Sequence, residues 1–245
     1  MAEHLFQKSL SSRQLFDPHT TESLADVLYE MGKDLLAQQQ FSMAVKWLDR
    51  SYEVLGKQDL DRLSMDASEL RVSIMECLIK SLLAQQTTRA SERAGNLIDL
   101  LETELGDKLI VLLLRLELLA SGGSENFDSH LYSDTLHRMT RTMILSEPNL
   151  RLVIYHIRKL NEEHPVLACK SLDQLLCLRI LKSDREDWMQ KIIIARLYMT
   201  VGQKDSETAV KSLEAILSST VTALEKPLGP TVTLAAHTVD SVRSD

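Results

Sequence analysis

The chain has 245 residues, with 28 basic against 35 acidic side chains, so its formal charge is −7. It is 44% hydrophobic but only 4% aromatic, and Leu alone occurs 44 times; Leu loses little rotamer freedom in a helix, whereas strands favour β-branched and aromatic residues. An all-β or collagen-like chain and a disulfide-stapled mini-protein are excluded, and the acidic balance argues against non-specific nucleic-acid binding, which needs clustered Lys and Arg.

In chain order, residues 1–21 read as an N-terminal extension with one apolar stretch at Leu5-Phe6 and a turn signal at Asp17-Pro18. Met1 to Asp17 is charged and has no continuous apolar core, so no secretory signal is expected. The longest purely apolar run, Leu109 to Leu114, is six residues. A membrane span needs about 20. The chain reads as soluble.

From residue 22 onward, apolar residues recur at i, i+3, i+4 and i+7, the helical period. They predict ten helices in five pairs: 22–38 with 41–55, 66–85 with 89–104, 107–120 with 128–145, 148–162 with 165–181, and 186–201 with 206–219. The connections are short, which forces antiparallel neighbours. Pro148 and Pro165 each stand where a helix starts, at a position that loses no hydrogen bond. Gly56, Gly106, Gly122, Gly123 and Gly202 mark helix ends. Residues 220–245, rich in Ser, Thr, Pro and Gly, read as a flexible tail.

Equivalent positions in the first helices are Leu28, Ile74, Leu109, Leu150 and Ile194, spaced by 46, 35, 41 and 44 residues. A period in that range is the signature of a helical solenoid. The fold class is therefore all-α: an α-solenoid of about five degenerate tetratricopeptide-like helical hairpins, occupying residues 22–219. The first pair is the clearest, with Leu28, Met31, Gly32 and Leu35 followed by Ala44, Leu48 and Ser51. Gly32 and Ala44 are small where the two helices should cross. A Gly inside a helix costs about 1 kcal/mol against Ala, so Gly32 demands such a packing reason.

Little in the sequence speaks for chemistry. It has no HExxH, no G-x-S-x-G, no phosphate-binding glycine loop and no G-x-G-x-x-G. His130 and His137 are seven residues apart, about 10 Å along a helix, too far for one metal ion. Glu162, Glu163, Asp184, Glu186 and Asp187 flank helix ends, where capping or solvation accounts for them. Cys77, Cys169 and Cys177 form no CxxC and read as buried free thiols of a reducing compartment. No catalytic residue, metal or cofactor is assigned.

Helical solenoids bind partners along the face lined by the first helix of each pair. The first pair places Asp26, Tyr29, Lys33 and Leu36 there, and the fourth places Arg151, Tyr155 and Arg158. Tyr and Arg are favoured interface anchors. The candidate partner-binding residues are thus Tyr29, Lys33, Arg151, Tyr155 and Arg158.

The stretch Leu28-Tyr29-Glu30-Met31-Gly32-Lys33, with Ala44-Val45-Lys46-Trp47-Leu48, resembles the meiotic tetratricopeptide proteins of the Spo-twenty-two/Zip-four type. Ala94, Ile98 and Leu101 continue the pattern in the second pair, and the resemblance extends over roughly residues 22–219. It implies a nuclear scaffold on meiotic chromosomes. Its partners would be crossover-promoting and chromosome-axis proteins, and its task would include support of synaptonemal complex assembly. No direct nucleic-acid or membrane binding is implied. Members of that family are several times longer, so the chain reads as a fragment, a truncated gene product or an incomplete gene model. The other reading left open by the residues is a general cytoplasmic tetratricopeptide adaptor for a peptide or chaperone tail.

Overall fold

The structure, a computed structural model, describes residues 17–56, 64–122, 127–177 and 186–201, together with Lys211 and Glu214. Nine helices account for nearly all of these residues. In chain order they are α1 (Pro18–Ala37), α2 (Phe41–Gly56), α3 (Met65–Ala84), α4 (Thr88–Leu105), α5 (Leu109–Ser121), α6 (Ser129–Thr142), α7 (Glu147–Glu163), α8 (Pro165–Leu175) and α9 (Glu186–Val201). Residues 1–16 of the predicted extension, the second helix of the fifth predicted pair apart from Lys211 and Glu214, and the tail over 220–245 lie outside the described residues. The chain divides into two compact units, Met1–Leu101 and Glu102–Asp245.

In the first unit, α1 begins four residues before its predicted start. The Asp17 carboxylate accepts from the backbone N–H of Thr20 at 3.1 Å, and Pro18 takes the first turn. What reads in sequence as a turn signal is a capped helix start. α1 and α2 pack as a hairpin, and α3 packs against both. Gly32 is buried at the crossing. A Cβ added there would stand 2.6 Å from Leu48 Cγ and 2.8 Å from its Cδ2. Ala44 and Leu48 are fully buried. The small residue Ser51 does more than make room: its hydroxyl donates to the Ala25 carbonyl at 2.7 Å, tying α2 to α1 inside the core. Arg93 of α4 reaches across to Asp49 of α2, adding a surface ion pair.

Both hairpins of this unit turn in the same way. The sequence Leu-Leu-Ala-Gln-Gln occurs at 35–39 and again at 82–86. In each copy the second Gln takes the left-handed region, with φ of 60° at Gln39 and 51° at Gln86. An identical pentapeptide at a 47-residue offset with the same backbone excursion is repetition in structure as well as in pattern. Ile74, Leu78, Ala94, Ile98 and Leu101 are fully buried, so the apolar residues assigned to the second hairpin face its core.

In the second unit, α5 packs on α6, α7 on α8, and α9 on α8. α6 also packs against α8, so second helices of successive hairpins meet as well. Leu112, Leu116, Tyr132, Leu136, Leu150, Val153, Ile157 and Leu172 form one continuous core. At the start of the unit, Arg138 of α6 pairs with both Glu102 and Asp107, and Arg115 of α5 shares Glu102. Burial would raise the Glu102 pKa, but the two guanidiniums outweigh it and hold the carboxyl below its ordinary range. Gly106 begins the intervening turn at φ +65°, a left-handed conformation that favours glycine after a helix. The unit is all-helical with adjacent-helix packing repeated along the chain, the arrangement of a helical solenoid.

Three sequence expectations need correction. Helix α6 stops at Thr142 rather than 145, because Met143 is extended (φ −62°, ψ 147°) and turns its side chain into the core. Ile194 is not a core position equivalent to Leu28: it is 37% exposed, while Ile192 and Ile193 are buried. Three consecutive isoleucines carry no periodicity with which to choose a face. Of the cysteines, Cys169 is buried and Cys77 half-buried, but Cys177 is exposed, since it lies beyond the end of α8.

Candidate functional site

The candidate binding residues fall into two groups, one per unit. Tyr29 and Lys33 lie on α1 in the first unit. Tyr29 is half-buried against the core of α1, α2 and α3, and its hydroxyl is 4.0 Å from Cys77 Sγ on α3. Burial, with the neighbouring Cys77, pushes the phenol up to about 12. Burial likewise pushes the Cys77 thiol up, so it is held in the neutral form. Lys33 is exposed, donates to Glu30 at 3.1 Å and sits 5.5 Å from the centre of the Tyr29 ring. Tyr29 is thus partly engaged in packing, with the Lys33 ammonium near its ring. A shallow depression of about 540 Å³ lies between the two hairpin turns of the same unit. Gln39, Gln40, Gln85 and Thr87 contribute to its lining, which carries no formal charge.

Arg151, Tyr155 and Arg158 lie on α7 in the second unit. Their spacing of four and three residues puts them on one helix face, and all three are exposed, Tyr155 by 60%. The opposite face of α7 is core, through Leu150, Val153, Ile157 and Leu160. This orientation follows from the amphipathic period, because Ser146 caps the helix through the Asn149 N–H and Pro148 fits its first turn. Glu147 accepts from Arg151 at 3.2 Å and from Lys191 of α9 at 3.0 Å. The two cations hold its carboxyl below the ordinary range. That shared carboxylate links the start of α7 to α9.

Sequence reading missed the α9 contribution. Lys191, Ile194 and Tyr198 are exposed and follow the helical spacing of three and four residues, and Tyr198 is 77% exposed. A signal for them existed. Between Pro148 and Asn161, and again between Trp188 and Val201, the chain has no carboxylate, although its overall charge is −7.

Inside the same unit, a buried polar pair joins α6 to α7. The Tyr132 hydroxyl and His156 Nδ1 share a hydrogen bond of 2.7 Å, and both residues are buried. Burial, reinforced by the charge of Lys159, pushes the imidazole down to about 4. Arg196 of α9, also buried, donates to Asp173 at 2.9 Å and to Cys169 Sγ at 3.0 Å. His137 shares a 3.0 Å hydrogen bond with Gln174, so it is engaged in packing. Among the described residues no three His, Cys, Asp or Glu side chains could hold a metal ion, and no helix is long and apolar enough to cross a membrane.

Helical hairpins packed on their neighbours within each unit, with exposed Tyr and Arg, are the arrangement of a helical-repeat protein-interaction module. A family described as "Meiosis protein SPO22/ZIP4 like" matches residues 1–239. The chain belongs to that family. No curated protein and no solved structure gives a significant match.

Proposed function

We propose that the chain is a scaffold of meiotic chromosomes, built of degenerate tetratricopeptide-type hairpins, that supports crossover formation and synaptonemal complex assembly in the nucleus. The observation that carries this reading is membership of a meiotic family across residues 1–239, on a frame of repeated helical packing. The Gly32–Leu48 crossing and the small residues Ala44 and Ser51 support the tetratricopeptide type. Its partners are crossover-promoting and chromosome-axis proteins, held without direct nucleic-acid contact. Tyr29, Lys33, Arg151, Tyr155 and Arg158 are the proposed binding residues. In spreads of meiotic nuclei, the tagged chain should form foci along the chromosome axes. Diffuse nuclear or cytoplasmic signal at every meiotic stage would contradict the reading and favour a general adaptor.

A further inference from the structure

We propose that the α7–α9 face of the second unit is a docking strip for an acidic partner segment interspersed with apolar residues. The inference rests on the scaffold reading and supplies the chemistry of the segment bound. Glu147 binds Arg151 and Lys191 together, an ion pair that links the first turns of α7 to the start of α9. One stripe is Arg151, Tyr155 and Arg158; the other is Lys191, Ile194 and Tyr198.

The middle of this strip carries charge of one sign only. Glu147 stands at its beginning and is already shared by two cations. Glu162 and Glu163 stand at the far end of α7, and Asp187 at the start of α9. In the intervening turns there is no carboxylate at all, while Arg151, Arg158, Lys159 and Lys191 are exposed. Arg158 and Lys159 have no carboxylate partner among the described residues. A local cationic strip on a protein of net charge −7 has an electrostatic complement in an acidic ligand, and such complementarity gives specificity and on-rate.

Charge alone would suit a phosphate backbone equally. The apolar content decides for a peptide. Tyr155 and Tyr198 are 60% and 77% exposed and Ile194 37%, and two tyrosines with an isoleucine offer apolar anchoring that a phosphodiester chain would leave unused. Nucleic-acid binding also draws its affinity from many phosphate contacts, and only two cations here lack a carboxylate partner.

The test uses the full chain on an array of random 15-residue peptides, with 15-nucleotide single-stranded DNA spotted beside them. The wild-type chain should select net-negative peptides containing Leu, Ile or an aromatic residue, and the signal should fall with added salt. The double variant Arg151→Glu, Arg158→Glu should lose those peptides at least tenfold. Circular dichroism checks that its helix content is unchanged, and the milder pair Arg151→Gln, Arg158→Gln should lose them in part. Binders without acidic enrichment, an unchanged pattern in the variants, or stronger retention on DNA would overturn the proposal. Peptide selection without chromosome-axis foci would fail the scaffold reading alone. Foci without acidic selection would fail this inference alone.

Discussion

Gly32→Leu should destabilise the first hairpin by about 1–3 kcal/mol, the usual cost of forcing extra methylenes into a packed core. A side chain at position 32 could be accommodated only by moving Leu48, because a Cβ on Gly32 already falls 2.6 Å from Leu48 Cγ. Leu48 is fully buried, so its displacement must propagate into α2. Trp47, adjacent on α2, reports the change once the second tryptophan is removed as Trp188→Phe, and urea unfolding followed by its fluorescence gives the magnitude. Pairing Gly32→Leu with Leu48→Ala should recover part of the loss, since the two side chains compete for one space. A Gly32→Leu curve superimposing on that of the parent would refute the close crossing. So would equal losses from the single and double variants.

The second large effect is a pH dependence that belongs to His156. Its ordinary pKa of 6.5 falls to about 4 in the fold, because burial disfavours the imidazolium and Lys159 adds a like charge. The other groups against the ring are the Tyr132 hydroxyl and the Tyr155 ring, neither of which supplies a counter-charge. The unfolded chain therefore takes up a proton near pH 6.5 that the native chain refuses until about pH 4. Stability from this group is complete above pH 6.5, declines as the pH falls, and levels off below 4. The loss is on the order of 3 kcal/mol, at 1.36 kcal/mol for each pKa unit. Carboxylates held low by cations, such as Asp107 beside Arg138 and Glu147 beside Lys191, lose stability in the same direction. His156→Gln keeps a polar group for Tyr132 but cannot titrate, so the difference between the two pH profiles isolates the histidine. Parallel profiles from pH 7 to 4 would show that His156 carries no such coupling.

How much of this was legible in the sequence depended on whether a signal was local. Helix starts at Pro148 and Pro165 were readable because a first-turn proline acts within its own turn. Gly32 was readable because a glycine inside a strong helical pattern has few explanations besides close approach, and Leu48 supplies that approach. The start of α1 was misjudged because Asp17-Pro18 suits both a turn and a helix cap, and local residue preference does not separate them. The isoleucine run 192–194 defeated periodicity outright, and only packing against α8 chose its face. The Tyr132–His156 pair spans 24 residues and the Glu147–Lys191 pair 44, so neither leaves a trace at helical spacing. Of the candidate site, the α7 stripe was visible from its amphipathic pattern. Its link to α9 was not, because the Glu147–Lys191 ion pair joins residues 44 apart in sequence.

A helical module that works on meiotic chromosomes should show it most directly in the partners it holds. The tagged chain is captured after crosslinking from meiotic and from mitotic cells expressing it at equal levels, and its partners are identified by mass spectrometry. Crossover-promoting and chromosome-axis proteins recovered from the meiotic sample, and lost with Tyr155→Ala, Arg158→Glu, are the predicted result. Chaperones or unrelated cytosolic proteins recovered equally from both samples would contradict it.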